Sequence, residues 1–128
     1  MHSAIRFVSP DDRHYGRECL ILANRQKVYE RVKNCKDDKI LITHGTDTMV
    51  ATAQRLNSIS GKTIVLTGSM QPARFKDSDA IFNIGCAIGV LIASEPGTYI
   101  AMNGQRFLPD NVTKNVAQER FENTGKTN

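Results

Sequence analysis

From Lys39 onward, short runs of aliphatic and β-branched residues alternate with longer stretches whose apolar positions recur at helical spacing. This alternation restricts the fold more than any other feature of the chain. A short, continuously apolar strand must be covered on both faces, and helices that cross between parallel strands supply that cover. Lys39–Thr43 reads KILIT, Thr63–Thr67 reads TIVLT and 98–102 reads TYIAM. Each has the length and composition of a buried strand. Between the first two, Met49, Ala53 and Leu56 repeat at helical spacing, and Ser60-Gly61 is a helix stop. Between the second and third, a loop with Pro72 and Asp77-Ser78-Asp79 leads into a helix. Ile81, Ile84, Ile88 and Leu91 fall on one face of it. The expected fold is α/β, a three-layer α/β/α arrangement with a mainly parallel sheet. Gly85 and Gly89 lie one turn apart inside this helix, where each costs roughly 1 kcal/mol against alanine. Close packing on the sheet is the expected reason for both.

Upstream, 26–36 reads as a helix through Val28, Val32 and Cys35, and Ile5–Val8 reads as a short strand. The stretch 18–23 is left undecided by its pattern. Asn103-Gly104 ends the third strand, and the polar 123–128 reads as a frayed end. With 128 residues, 40% of them hydrophobic, one core is expected and two ordinary domains are not. The expected organisation is a single domain over 1–128.

The net charge of +4 does not point to nucleic acid, because Lys and Arg are interleaved with acids and form no aromatic-flanked run. Cys19, Cys35 and Cys86 are odd in number and show no C-x-x-C spacing, which suggests neither a disulfide framework nor a zinc site. No stretch near Met1 is apolar enough for a signal peptide or membrane span, so a cytoplasmic location with no membrane partner is expected. Asn111-Val112-Thr113 matches a glycosylation acceptor in pattern only.

In a parallel sheet the loops after the carboxyl ends of strands meet at one edge, where ligands bind. Here those loops carry His44-Gly45-Thr46-Asp47-Thr48, then Gly68-Ser69-Met70-Gln71, and then a path from Asn103-Gly104 to Thr113-Lys114. Gly45 permits close approach of backbone to a ligand, and Asp47 sets a carboxylate at a helix start. Spacing alone favours a simpler role, with Thr46 or Asp47 as the helix N-cap. The functional alternative is a hydroxyl beside a carboxylate, with a lysine brought from a later loop to take a proton from a threonine or a water. His44 has no partner histidine nearby in sequence and is expected to support its loop. Gly61-Lys62-Thr63 and Gly125-Lys126-Thr127 imitate the end of a phosphate-binding loop. Both lack the earlier glycine, since Leu56 and Arg120 stand there, and neither opens a helix.

Ile42-Thr43-His44-Gly45-Thr46-Asp47-Thr48-Met49 closely resembles the second signature of bacterial-type L-asparaginases. Further blocks follow in order: Val65 to Pro72, Ser78-Asp79-Ala80 with Asn83, and Met102-Asn103-Gly104 through Val112-Thr113-Lys114. The resemblance covers 25–122 and is nearest to short forms comprising the N-terminal domain. It implies that Thr46, Asp47 and Lys114 form a triad that activates the nucleophile. It also implies substrate contacts from Gly45, Thr46, Asp47 and Ser69, with no metal or organic cofactor. The implied reaction is hydrolysis of the asparagine side-chain amide to aspartate and ammonia, with glutamine as a lesser substrate, in a homo-oligomer.

Two family features have no counterpart. A Gly-Gly-Thr loop after an opening strand is absent before Arg25. Where a Ser-x-Asp-Met-like segment should precede the first helix, the chain reads Arg17-Glu18-Cys19-Leu20. The stretch 1–24 is therefore expected to be divergent or rearranged. Two functional expectations follow: an amidohydrolase in which Thr46 or a lysine-activated water attacks, or a catalytically impaired relative that binds a small ligand or a protein.

Overall fold

The computed structural model describes the backbone of residues 5–8, 17–71 and 78–125 and the side chains of 25–71 and 78–125. Strands β1 (Ile5–Val8), β2 (Lys39–Thr43), β3 (Thr63–Thr67) and β4 (Gly97–Met102) run parallel in that spatial order, and β5 (Gln105–Phe107) pairs antiparallel with β4. Helices α1 (Arg17–Asn34), α2 (Met49–Leu56) and α3 (Ala80–Ala93) connect the parallel strands, and β6 (Val112–Asn115) and β7 (Arg120–Asn123) form a separate hairpin.

Alternation along each strand divides the core between the two sheet faces. Ile40, Ile42, Ile64, Leu66, Ile100 and Met102 point to one side, where they meet Val28 and Val32 of α1 and Met49, Ala53 and Leu56 of α2. Leu41, Val65, Tyr99 and Ala101 point to the other, where they meet Ala87 and Leu91 of α3. The result is the expected α/β sandwich with a mainly parallel sheet. Each fully buried aliphatic side chain contributes about 2 kcal/mol of transfer free energy.

The crossovers through α1 and α2 pass over one face and the crossover through α3 passes over the other, while the strand order keeps advancing in one direction. The third crossover therefore has the opposite hand to the first two, and at least one departs from the usual right-handed rule.

Several local expectations need correction. Helix α1 begins at Arg17, so 18–23 is helical and Arg17-Glu18-Cys19-Leu20 forms its first turn instead of a loop before it; it ends at Asn34, short of Lys36. In α3 the buried positions are Asn83, Ala87 and Leu91, a face rotated from the apolar pattern, and Ile81 is 86% exposed. Gly85 and Gly89 are exposed, and a Cβ on either would meet nothing within 4 Å. Packing on the sheet does not explain them. A helix whose residues are apolar nearly all round leaves the pattern unable to say which stripe faces inward.

Asn103 and Gly104 do more than end β4. Both have positive φ, 56° and 75°, and Met102 pairs with Gln105 across them. This is the two-residue turn that Asn-Gly favours, and β5 follows from it. Phe107, Val112 and Phe121 then join the α2-side core, so the β6–β7 hairpin is packed beneath the same helix as the sheet. Gln54 of α2 donates to the Pro109 carbonyl at 3.3 Å and ties helix to connection. Of the end read as frayed, 123–128, Asn123 is the last residue of β7 and the Thr124 amide donates to the Asn111 carbonyl at 3.0 Å, so that reading fails there; 126–128 and loop residues 72–77 lie outside the described residues.

Candidate active site

The β2–α2 and β3–α3 loops leave neighbouring strands at the same sheet edge. The His44 amide donates to the Thr67 carbonyl at 2.9 Å, so the two loops separate only after the strands end. Gly68 crosses directly against the His44 carbonyl, close enough that a Cβ there would overlap its oxygen. Gly45 differs: it is exposed and a Cβ would meet nothing within 4 Å, so contacts within the chain do not require a glycine there.

Thr48 stands at the N-cap of α2, and its side chain makes no capping bond. The simple N-cap reading of Thr46 or Asp47 is therefore replaced by another arrangement. Lys114 Nζ donates to Thr46 Oγ1 at 2.8 Å and to Asp47 Oδ1 at 2.5 Å. These contacts join positions 67 and 68 residues apart. Lys114 shares its hairpin face with Val112, and it lies opposite Phe121 in register. The burial of Val112 and Phe121 holds the lysine stem against the core while its amine reaches the sheet edge. The Lys114 side chain is 19% exposed and that of Asp47 is 85% exposed. One end of the set is thus enclosed and the other is open to solvent.

His44 closes a supporting network. Its Nδ1 lies 2.8 Å from the Gly45 carbonyl, which can only accept, so Nδ1 carries the proton and Nε2 accepts from Thr52 Oγ1 at 3.0 Å. Arg25 Nε in turn donates to Thr52 Oγ1 at 3.4 Å. Burial lowers the His44 pKa, the Gly45 carbonyl opposes that shift, and the Arg25 charge adds to it. A neutral imidazole tying α2 to the loop matches the expected supporting role.

Ser69 belongs to a second network. Its hydroxyl contacts the Gln71 carbonyl, lies 2.9 Å from Ser78 Oγ and donates to Asp79 Oδ1 at 2.5 Å. Asp79 also accepts from the Met70 and Gln71 amides at 3.0 and 3.2 Å and from Asn83 Nδ2 at 2.9 Å. Burial would raise the Asp79 pKa, but these donors outweigh it and hold the carboxyl below its ordinary value. Although Asp79 occupies the N-cap position of α3, its carboxylate makes no cap bond and turns to the Ser69 loop instead. Asp79 and Asn83 stand in a block that resembles the family's helix entry, but the sequence gives neither a role; an acid and an amide four residues apart at a helix start are the signal for their pairing.

Lys62, in the phosphate-loop imitation, donates to the Cys35 and Asp37 carbonyls at 2.5 and 2.8 Å at the opposite end of β3. Cys35 and Cys86 are free thiols. Among the described residues no three His, Cys, Asp or Glu side chains converge as metal ligands, and no helix is long and apolar enough to cross a membrane.

Residues 18–124 match the family model described as asparaginase, N-terminal, a span that starts before the resemblance noted from Arg25. A glutaminase-asparaginase from Acinetobacter glutaminasificans is 36% identical over 101 residues, covering 75% of this chain and 30% of the relative. Among solved structures, the thermostable L-asparaginase from Thermococcus kodakarensis superposes with a TM-score of 0.66 at 29% identity, over 84% of this chain and 34% of that one. A probable cytoplasmic L-asparaginase from Campylobacter jejuni gives a TM-score of 0.72 at 24% identity, over 96% of this chain and 50% of that one, a likeness of fold. The chain spans 30% of the length of the first of these relatives.

Proposed function

This chain belongs to the asparaginase family, and we propose that it hydrolyses a side-chain carboxamide, asparagine before glutamine, using Thr46, Asp47 and Lys114. The observation that supports this reading is the convergence of Lys114 Nζ on Thr46 Oγ1 and Asp47 Oδ1 from distant parts of the chain. Such a contact supplies three parts of an activated nucleophile: an oxygen, a base within reach of its proton, and a carboxylate that orients the base.

In the proposed reaction the amine form of Lys114 takes the proton of Thr46, or of a water held there, and the freed oxygen attacks the amide carbon. The lysine ammonium, held by Asp47, then gives its proton to the departing nitrogen and ammonia leaves. If Thr46 attacks, a second water cleaves the resulting ester to give the carboxylate and restore the hydroxyl. Gly45 and Ser69 contact the substrate through their backbones, on the loops that flank the triad. No metal or organic cofactor takes part.

The sequence Arg17-Glu18-Cys19-Leu20, where a Ser-x-Asp-Met-like segment is expected, favours a second reading, a relative that binds an amino-acid ligand without turning it over. Ammonia release from asparagine, measured beside an Asp47→Ala control, separates the two. The expected result is turnover by the parent and a loss of at least about a hundredfold in the control. A parent that releases no ammonia, yet is thermally stabilised by aspartate or asparagine, would establish the second reading instead.

A further inference from the structure

Beside the His44–Thr67 bond between the two loops, one fully buried asparagine links the loop that carries Ser69 towards the hairpin that carries Lys114. Asn83 is 0% exposed. Its Nδ2 donates to the Gly68 carbonyl and to Asp79 Oδ2, each at 2.9 Å, which fixes the loop that carries Ser69. Its Oδ1 accepts the Asn103 amide at 3.2 Å. Asn103 then passes the connection on: its Oδ1 accepts the Phe121 amide at 3.0 Å. Phe121 lies directly opposite Lys114 in the β6–β7 hairpin. A continuous path thus runs from the Ser69 loop through Asn83 and Asn103 to the strand beside Lys114.

Each link has a chemical reason. Asn103 sits at φ 56°, a left-handed conformation that asparagine tolerates better than most residues. The turn geometry aims its amide at α3 and leaves its carboxamide free to reach β7. Among the described residues the β6 and β7 strands pair only with each other, so strand pairing with the five-stranded sheet does not fix their position. Core packing of Val112 and Phe121 is non-directional. A hydrogen bond from the main chain of β7 to a rigid turn supplies the directional constraint that packing lacks.

We propose that Asn103 is a positioning residue, whose side-chain bond to the Phe121 amide sets the reach of Lys114 to Thr46 and Asp47 relative to the Ser69 loop. The proposal rests on the amidohydrolase reading for its effect on turnover, but its geometric content is independent of that reading. A misplacement of about 1 Å in a reacting group can cost up to about a hundredfold in rate. Loss of the bond should therefore act on kcat more than on KM.

Two variants separate positioning from folding. Asn103→Gly keeps the left-handed backbone and the amide donor to Asn83 but removes the acceptor for Phe121. Asn103→Asp keeps both. In Asn103→Gly, kcat should fall about tenfold or more with KM within about twofold of the parent. Exchange of the Phe121 amide hydrogen should speed up by about tenfold or more, and the nuclear Overhauser effect between the Lys114 ε-methylene and the Thr46 methyl should weaken. Asn103→Asp should restore all three. An unchanged kcat in Asn103→Gly beside a deprotected Phe121 amide would overturn the proposal, as would a Phe121 amide that stays protected. If the parent has no turnover, the amidohydrolase reading fails by itself. The Lys114–Thr46 Overhauser effect in the two variants then decides the positioning role: lost in Gly and kept in Asp sustains it, and kept in both overturns it.

Discussion

A methyl group on Gly68 would overlap the His44 carbonyl oxygen and press on Met49 Cε at 3.1 Å. Neither neighbour can yield cheaply: the first is backbone pinned by the His44–Thr67 hydrogen bond, and the second is a fully buried side chain. Gly68→Ala is expected to destabilise the chain by about 3 kcal/mol, near the upper end for overpacking, lowering Tm by about 10 °C in a thermal melt. Gly45→Ala meets open space and should leave Tm within about 2 °C. A large Tm loss at Gly45 and none at Gly68 would reverse the assignment of which glycine the fold needs. Both glycines follow a strand closely, and sequence pattern alone gave a conformational argument only for Gly45. The close approach at Gly68 is a contact between two loops, which local sequence does not encode.

At the scale of elements, α3 shows where periodicity loses its power. Its interior is so uniformly apolar that the inward stripe was assigned to Ile81, Ile84, Ile88 and Leu91, whereas Asn83, Ala87 and Leu91 are buried. The observed stripe buries the Asn83 carboxamide with its bonds to Gly68, Asp79 and Asn103 made, and leaves Ile81, Phe82 and Ile92 exposed. Gly85 and Gly89 consequently face outward with room for a side chain. Replacing each with alanine should stabilise the helix by about 0.5–1 kcal/mol, additively, because among the described residues nothing lies within 4 Å of the new methyl groups. Chemical denaturation of the single and double variants tests this; destabilisation would mean that the glycines have a packing role after all. Elsewhere the pattern served well. Strands β2, β3 and β4, and the buried positions of α2, lie where alternation and spacing put them. The hairpins after Met102 were missed because β5, β6 and β7 are three or four residues long and mostly polar.

Over the whole molecule, stability below neutral pH should depend on pH through His44 and Asp79, whose environments shift them. His44 has a folded pKa below its ordinary 6.5, because burial disfavours the charged ring. Its contribution is therefore complete above about pH 6.5 and is lost as pH falls through that value towards the folded pKa. Asp79 is held below its ordinary 3.8 and behaves alike at lower pH, with its contribution present above about 3.8 and lost as the carboxylate protonates. Thermal melts should show Tm falling between pH 7.5 and pH 5.5. In His44→Gln, which cannot take up a proton there, that fall should be smaller. Equal falls in parent and variant would remove His44 as the cause.

The α/β class and the strand-helix alternation were legible in the sequence, because local composition and spacing set them; Thr46, Asp47 and Lys114 stood out as a set only through the resemblance of their blocks to the asparaginase family. Their assembly was not legible. That α3 crosses the opposite face from α1 and α2, so that crossover hand changes within one sheet, follows from the need to cover both faces. That Lys114 Nζ stands 2.8 Å from a threonine 68 residues away follows from Phe121 and Val112 docking in the α2-side core and from the bond of Phe121 to Asn103. Local sequence specifies what each segment can bury or bond; which partners it meets is settled only when all segments compete for the same core.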